Sequence, residues 1–204
     1  MIEKIHWLGH SGFKISSGVL IYLDPFRIAG GDTADLILIT HKHHDHCSPE
    51  DIEKLRGPHT LIVGPPDSVA DLTGQTRAIA PGERLQVGEV VITAVPAYNI
   101  DKPYHPKQAG WVGYLVTVAG ETVYHAGDTD CIPEMKSIRA DVALLPVGGT
   151  YTMTVEEAAR AALDICPTLA VPMHYGSIVG GAGDGERFCR LIQDRVQAMT
   201  MVKE

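Results

Sequence analysis

The sequence predicts an α/β fold in which short strands dominate and a few helices lie outside them. Short apolar runs recur along the chain, separated by Gly, Ser and Pro turns. One of them, spanning residues 35–40, reads as a strand buried on both faces. Two helix starts carry their own caps, Ser48-Pro49-Glu50-Asp51 and Thr154-Val155-Glu156-Glu157. Two sheets packed face to face and covered by helices fit this pattern, although the pattern alone does not order the strands.

In chain order, strands are expected over 4–8, 12–16 and 19–23, parted by Gly-Ser or Ser-Gly turns, and then over 35–40. Ser48 as N-cap, Pro49 at the first helical position and acids in the first turn open a helix. The loop 41–47 therefore joins the carboxyl end of a buried strand to a helix, where open α/β architectures commonly place their sites. Further strands are expected over 60–63, 90–95, 112–118, 122–125, 142–145 and 169–171. An Ala-rich helix follows Thr154, and residues 186–198 have helical apolar spacing. With no repeat, low-complexity tract or charged linker, residues 1–204 read as one domain.

Composition narrows the function classes. Apolar residues make up 45% and charged residues 21%, as in an ordinary globular protein. No apolar run approaches the roughly 20 residues of a membrane span, and the start lacks the basic-then-apolar pattern of a secretion signal. A cytoplasmic location without membrane partners is expected. Cys47, Cys131, Cys166 and Cys189 are widely spaced, so free thiols in a reducing compartment fit better than a disulfide framework. A net charge of -8 argues against nucleic acid as a partner. A homo-oligomer is compatible with the chain.

Four of the 10 histidines fall between His41 and His46. In an extended loop, residues two apart project the same way, so His41 and His43 can converge on one ion. Asp45 and His46, at the turn into the helix, can face an ion beside it. Imidazole nitrogen with carboxylate oxygen suits zinc, and also manganese or iron. Asp128 in Gly127-Asp128-Thr129 and His174 in Pro172-Met173-His174-Tyr175 also follow apolar strand-like runs, which puts them on the same rim.

His41-x-His43-x-Asp45-His46, the Gly127-Asp128-Thr129 segment and the late His174 resemble the successive metal motifs of the metallo-β-lactamase superfamily. Gly9-His10-Ser11, Leu23-Asp24-Pro25-Phe26, Tyr124 to Thr129 and Pro172 to Gly176 further resemble its small stand-alone zinc-dependent hydrolase branch, which is similar to the ascorbate-phosphate lactonase group. The resemblance runs over residues 5–178. It implies an αββα four-layer sandwich with metal on one edge of the sheets. It also implies that His41 and His43 bind a first ion, that Asp45, His46 and His174 bind a second, and that Asp128 bridges them. Most relatives carry a further first-site histidine where this chain has Asn99, in Val95-Pro96-Ala97-Tyr98-Asn99. His105 can reach back and substitute, because the short Pro-containing loop between them spans the distance.

The implied activity is that of a metal-dependent hydrolase with one or two zinc ions. A metal-bound hydroxide would attack a small, anionic ester, lactone or phosphodiester. Asp45 is the candidate for orienting the nucleophile, and His10 for donating a proton to the leaving group. His105, Asn99 and His125 are candidate substrate contacts, and the lysines around His105 would bring positive charge. His105 can instead ligate, and His125 can instead support Asp128 or bind a buried carbonyl. Asp24 reads as an orienting residue, while Tyr98, Tyr104, Trp111 and Tyr175 wall the pocket or belong to the core. There is no Gly-x-Ser-x-Gly elbow, and Cys47 reads as packing. The rival readings are a mononuclear iron oxidoreductase and a non-catalytic metal-binding module.

Overall fold

A computed structural model describes residues 2–204. The first half of the chain builds one sheet from β1 (Ile5–Gly9), β2 (Gly12–Ser16), β3 (Leu20–Leu23), β4 (Leu36–Leu38), β5 (Leu61–Gly64) and β6 (Gln75–Ala78), in that spatial order. β1 to β3 pair antiparallel and β3 to β6 pair parallel. The parallel crossovers carry α1 (Pro49–Leu55) and α2 (Pro66–Val69).

The second half builds the other sheet from β7 (Arg84–Val87), β8 (Val90–Pro96), β9 (Val112–Val118), β10 (Glu121–His125), β11 (Val142–Pro146), β12 (Leu169–Met173) and β13 (Gln197–Ala198). β7 to β10 pair antiparallel and β10 to β13 pair parallel. α3 (Val155–Ile165) and α4 (Asp184–Ile192) pack on β11, β12 and each other. Each sheet thus runs from antiparallel hairpins into a parallel stretch.

Side-chain alternation produces the layers. On β4, Leu36 and Leu38 join the large cluster between the sheets, while Ile37 joins the cluster beneath α1 and α2. On β3, Ile21 and Leu23 face inward and Tyr22 outward. Ile52 and Leu55 of α1 cover that outer face, each contributing roughly 1.5–3 kcal/mol by leaving water. Ala158, Ala161 and Ala162 let α3 lie close on the second sheet. The result is the four-layer αββα sandwich, the metallo-β-lactamase fold. No helix among the described residues is long and apolar enough to cross a membrane.

Both anticipated caps form. Ser48 Oγ accepts the Asp51 amide, and Thr154 and Glu157 make a reciprocal capping box. The helix expected over 186–198 is shorter: α4 ends at Ile192, and Gln197–Ala198 instead pair with Leu169 and Ala170 of β12. The open edge of the parallel sheet captures this segment, whose apolar spacing had looked helical. β6 and β7 escape notice in the sequence because they are polar edge strands with largely exposed side chains.

Candidate metal centre

The loops that leave the carboxyl ends of β1, β3, β4, β8, β10 and β12 meet on one rim, and each brings one part of a histidine cluster. Asp24, just after β3, organises the first part. Its Oδ1 accepts the Thr40 amide at 2.8 Å. Its Oδ2 accepts Thr40 Oγ1 at 2.6 Å and His46 Nδ1 at 2.7 Å. Because the Thr40 hydroxyl is spent as a donor to Asp24, it can only accept from His41 Nδ1, 2.9 Å away. Both imidazoles are thereby fixed with Nε2 turned to the rim, that of His46 without a partner and that of His41 3.0 Å from His43 Nδ1.

His105 is set the same way. Asn99 Oδ1, an acceptor only, receives the His105 amide at 2.9 Å and its Nδ1 at 3.0 Å. The Asn99 amide nitrogen donates to Asp130 Oδ1 at 3.1 Å and to the Tyr151 carbonyl at 2.9 Å. Asp130 also accepts the Ile100 amide at 2.8 Å and pairs with Lys102. The sequence left Asp130 unmarked; its partners lie some thirty residues away, and a lone acid in a loop gives no signal.

Asp128 stands at the centre, carried there by Gly127. That residue turns with φ +64°, and a Cβ on it would lie 2.8 Å from the Val112 carbonyl. Asp128 Oδ1 lies 3.3 Å from His46 Nε2. Its Oδ2 lies 3.1 Å from His174 Nε2, 3.3 Å from His105 Nε2 and 3.9 Å from His41 Nε2. His10 Nε2 is 3.0 Å from Asp45 Oδ2, and its ring lies 4.0 Å from that of His174. His10 and His174 both sit in the left-handed region, at φ 51° and 58°, and the His174 amide donates to the His10 carbonyl. Such strained non-glycine backbone concentrates at functional sites.

Potential ligand atoms fall into two main sets, His41–His43–His105 and His10–Asp45–His46–His174, with Asp128 between them. Asp24 lies near His41 and His46, but its oxygens are already committed to Thr40 and His46. His46 Nε2, His105 Nε2, His174 Nε2 and Asp128 Oδ1 are buried and have no hydrogen-bond partner. Converging bare donors of this kind fit a transition metal. Trp111 backs the first set, its ring 5.0 Å from His41, 4.8 Å from His43 and 5.6 Å from His105, and its Nε1 donates to Asp67.

Electrostatics favour neutral His10, His41 and His43 beside ionised carboxylates, whereas for His46 burial is outweighed by the Asp128 and Asp24 carboxylates, which raise it well above the ordinary imidazole value. Burial, helped by the neighbouring His46, pushes His41 well down, and burial with His105 lowers His43. Burial also lowers His10. For Asp128, burial opposes ionisation, but the His174 and His46 rings hold its carboxyl well below the usual range. Asp45 is likewise held low, against burial, by its bond from His10 and by His46.

Two expected substrate contacts need correction. His125 is fully enclosed: Nε2 donates to the Ser11 carbonyl at 2.8 Å and Nδ1 accepts the Gly127 amide at 3.2 Å, so it braces the turn before Asp128. Asn99 is buried with its amide fully engaged, and it positions His105. His105 itself lies within the first ligand set, between protein and cavity. The lysines expected to bring charge are engaged elsewhere, Lys102 on Asp130 and Lys107 on Glu134. Cys47 donates to the Ser68 carbonyl, and burial pushes its thiol up to about 11.

A β-lactamase superfamily domain matches residues 4–174. A UPF0173 protein of Pyrococcus abyssi is 35% identical, over 98% of this chain and 95% of its own length. A UPF0173 metal-dependent hydrolase of Methanopyrus kandleri is 34% identical, over 94% and 92%. A solved structure from Parabacteroides distasonis superposes with a TM-score of 0.88 at 33% identity, covering 97% of this chain and 91% of that one. Together with the sandwich and the histidine rim, these matches place the chain in the β-lactamase superfamily and, within it, among the UPF0173 metal-dependent hydrolases.

Proposed function

We propose that the chain hydrolyses a small ester, lactone or phosphodiester with one or two ions, zinc foremost, which His41, His43, His105, Asp45, His46, His174 and Asp128 would hold. The observation that carries this reading is the convergence of four buried, unpartnered ligand atoms, on His46, His105, His174 and Asp128, beneath an open mouth. Each buried polar atom left unsatisfied costs about 1–3 kcal/mol, a cost that an ion among them removes. When bound, the metal supplies Lewis acidity and a water nucleophile that ionises near neutral pH.

The chain's own residues do the rest. Asp24, Thr40 and Asn99 hold the imidazoles in the tautomer that presents Nε2. Asp45, pinned by His10, presents a carboxylate at the rim that can take a proton's hydrogen bond and orient the attacking water. His10, whose Nε2 lies 3.0 Å from Asp45 Oδ2, acts on the reaction through that carboxylate. Trp111 keeps water from the rear of the first set.

Element analysis of the purified protein should find a transition metal, and His41→Ala/His43→Ala together should remove the first ion while the fold persists. The loaded wild type should hydrolyse members of an ester, lactone and phosphodiester panel. Oxygen uptake without hydrolysis would move the site to redox chemistry, and unchanged metal content in the double variant would sink the ligand assignment.

A further inference from the structure

Above the histidine rim the loops after β8, β11 and β12 enclose a cavity of about 240 Å³. Its floor is the cluster itself. Its walls are Tyr104, Tyr151 and Ile178, one from each loop, with the exposed His44 at the edge of the floor. The Tyr104 and Tyr151 rings meet edge to face, with centroids 4.7 Å apart and planes at 87°, and so form an apolar corner. Tyr104 is 43% exposed and Ile178 39%, so apolar surface stands open at the mouth of a polar site. No lysine or arginine lines this cavity among the described residues. The neighbouring lysines are each paired with a carboxylate: Lys102 with Asp130, Lys107 with Glu134, and Lys42 with Asp67 at 3.5 Å.

We propose that the substrate is an uncharged ester or lactone with a ring-bearing apolar arm, seated in the Tyr104–Tyr151–Ile178 corner. This rests on the hydrolase reading and narrows it. A phosphate or carboxylate on the arm would meet no lysine or arginine in the walls. An apolar ring there covers exposed aromatic and aliphatic surface instead. The volume suits the assignment, since a cavity of roughly 150 Å³ already accepts benzene and the remainder accommodates the reacting carbonyl. In the reaction water adds its oxygen to the acyl carbon and the acyl C–O bond breaks. The alkoxide leaves with a proton from that water, giving one acid and one alcohol.

The test uses zinc-loaded protein and hydroxamates, which chelate zinc without being turned over. Phenylacetohydroxamate should bind at least about tenfold more tightly than acetohydroxamate, and a para-carboxylate on the ring should abolish that gain. In Tyr104→Ala/Ile178→Ala the gain should shrink to within about threefold at unchanged metal content. Tighter binding of the carboxylated ring, or a gain that survives in the double variant, would overturn the proposal, as would failure of either hydroxamate to bind. Turnover separates the two readings. Selective binding of the neutral ring with no hydrolysis of phenyl acetate overturns the hydrolase assignment alone. Hydrolysis of bis(p-nitrophenyl) phosphate without ring selectivity overturns the substrate class alone.

Discussion

At the scale of single residues, Asn99 illustrates how a side chain outside the ligand set governs one within it. Its carbonyl oxygen receives both the amide and Nδ1 of His105, and its nitrogen is anchored on Asp130 and Tyr151. Asn99→Ala should leave the His105 ring free to rotate and weaken first-site metal binding by roughly 10–100-fold. Equilibrium dialysis against a competing chelator checks this, and wild-type affinity in the variant would show that Asn99 does not position His105. The sequence marked position 99 as unusual and His105 as its partner, because an amide stood where relatives carry imidazole. It could not show how the two divide the work. That depends on Asp130 and Tyr151, which only the packed fold brings alongside.

At the scale of elements, α1 is tied to the loop after β3 by one carboxylate. Asp51 accepts the Arg27 amide at 2.8 Å, the Ile28 amide at 3.3 Å and Lys54 Nζ at 2.9 Å. Burial opposes its ionisation, but the bonds from Lys54, Ser48, Arg27 and Ile28 outweigh burial and hold the carboxyl below its ordinary value. A depressed folded value means that the stabilisation is present above the unfolded carboxylate value, near about pH 4, and fades as pH falls through the lower folded value. Asp51→Asn should therefore cost ~1 kcal/mol at pH 7, with the gap from wild type narrowing below about pH 4. Urea titrations of metal-free protein measure it, and a gap that widens in acid would contradict the sign. The caps of α1 and α3 were legible because a cap is written within four neighbouring residues. β13 was not, since its pairing with Leu169 is a contact between distant segments.

At the scale of the whole molecule, the ligand atoms come from both sheets: His41 to His46 from the first half, His105, Asp128 and His174 from the second. An ion between them therefore ties one sheet to the other. At a free concentration about a thousand times its Kd, the metal adds ~4 kcal/mol. At roughly 2–4 °C per kcal/mol for a chain of this size, chelation should lower Tm by ~8–16 °C. Calorimetry before and after EDTA, with recovery on adding zinc, measures it; an unmoved Tm would mean that the ion does not bridge the halves. Two facing sheets fitted the recurring short apolar runs, the four-layer order came from the resemblance, and the first ligand group was legible in seven consecutive residues. Asp128 and His174 were weak signals singly, one acid after glycine and one histidine after a strand, and gained weight only beside the first cluster, while their division between two ions came through resemblance.

The three cavity walls differ in how they are attached. Tyr104 immediately precedes His105, so its backbone is committed to presenting a ligand. Ile178 belongs to the glycine-rich stretch after His174, and Tyr151 lies in the loop after β11, where its carbonyl accepts the Asn99 amide. Reactivity and selectivity are therefore inherited through separable stretches of chain. Tyr151 and Ile178 can drift among descendants and re-target the site while the ion-holding residues stay constant, whereas change at Tyr104 is coupled to them. Under the proposed substrate reading, selectivity can change along these two loops while the ion-holding residues stay in place.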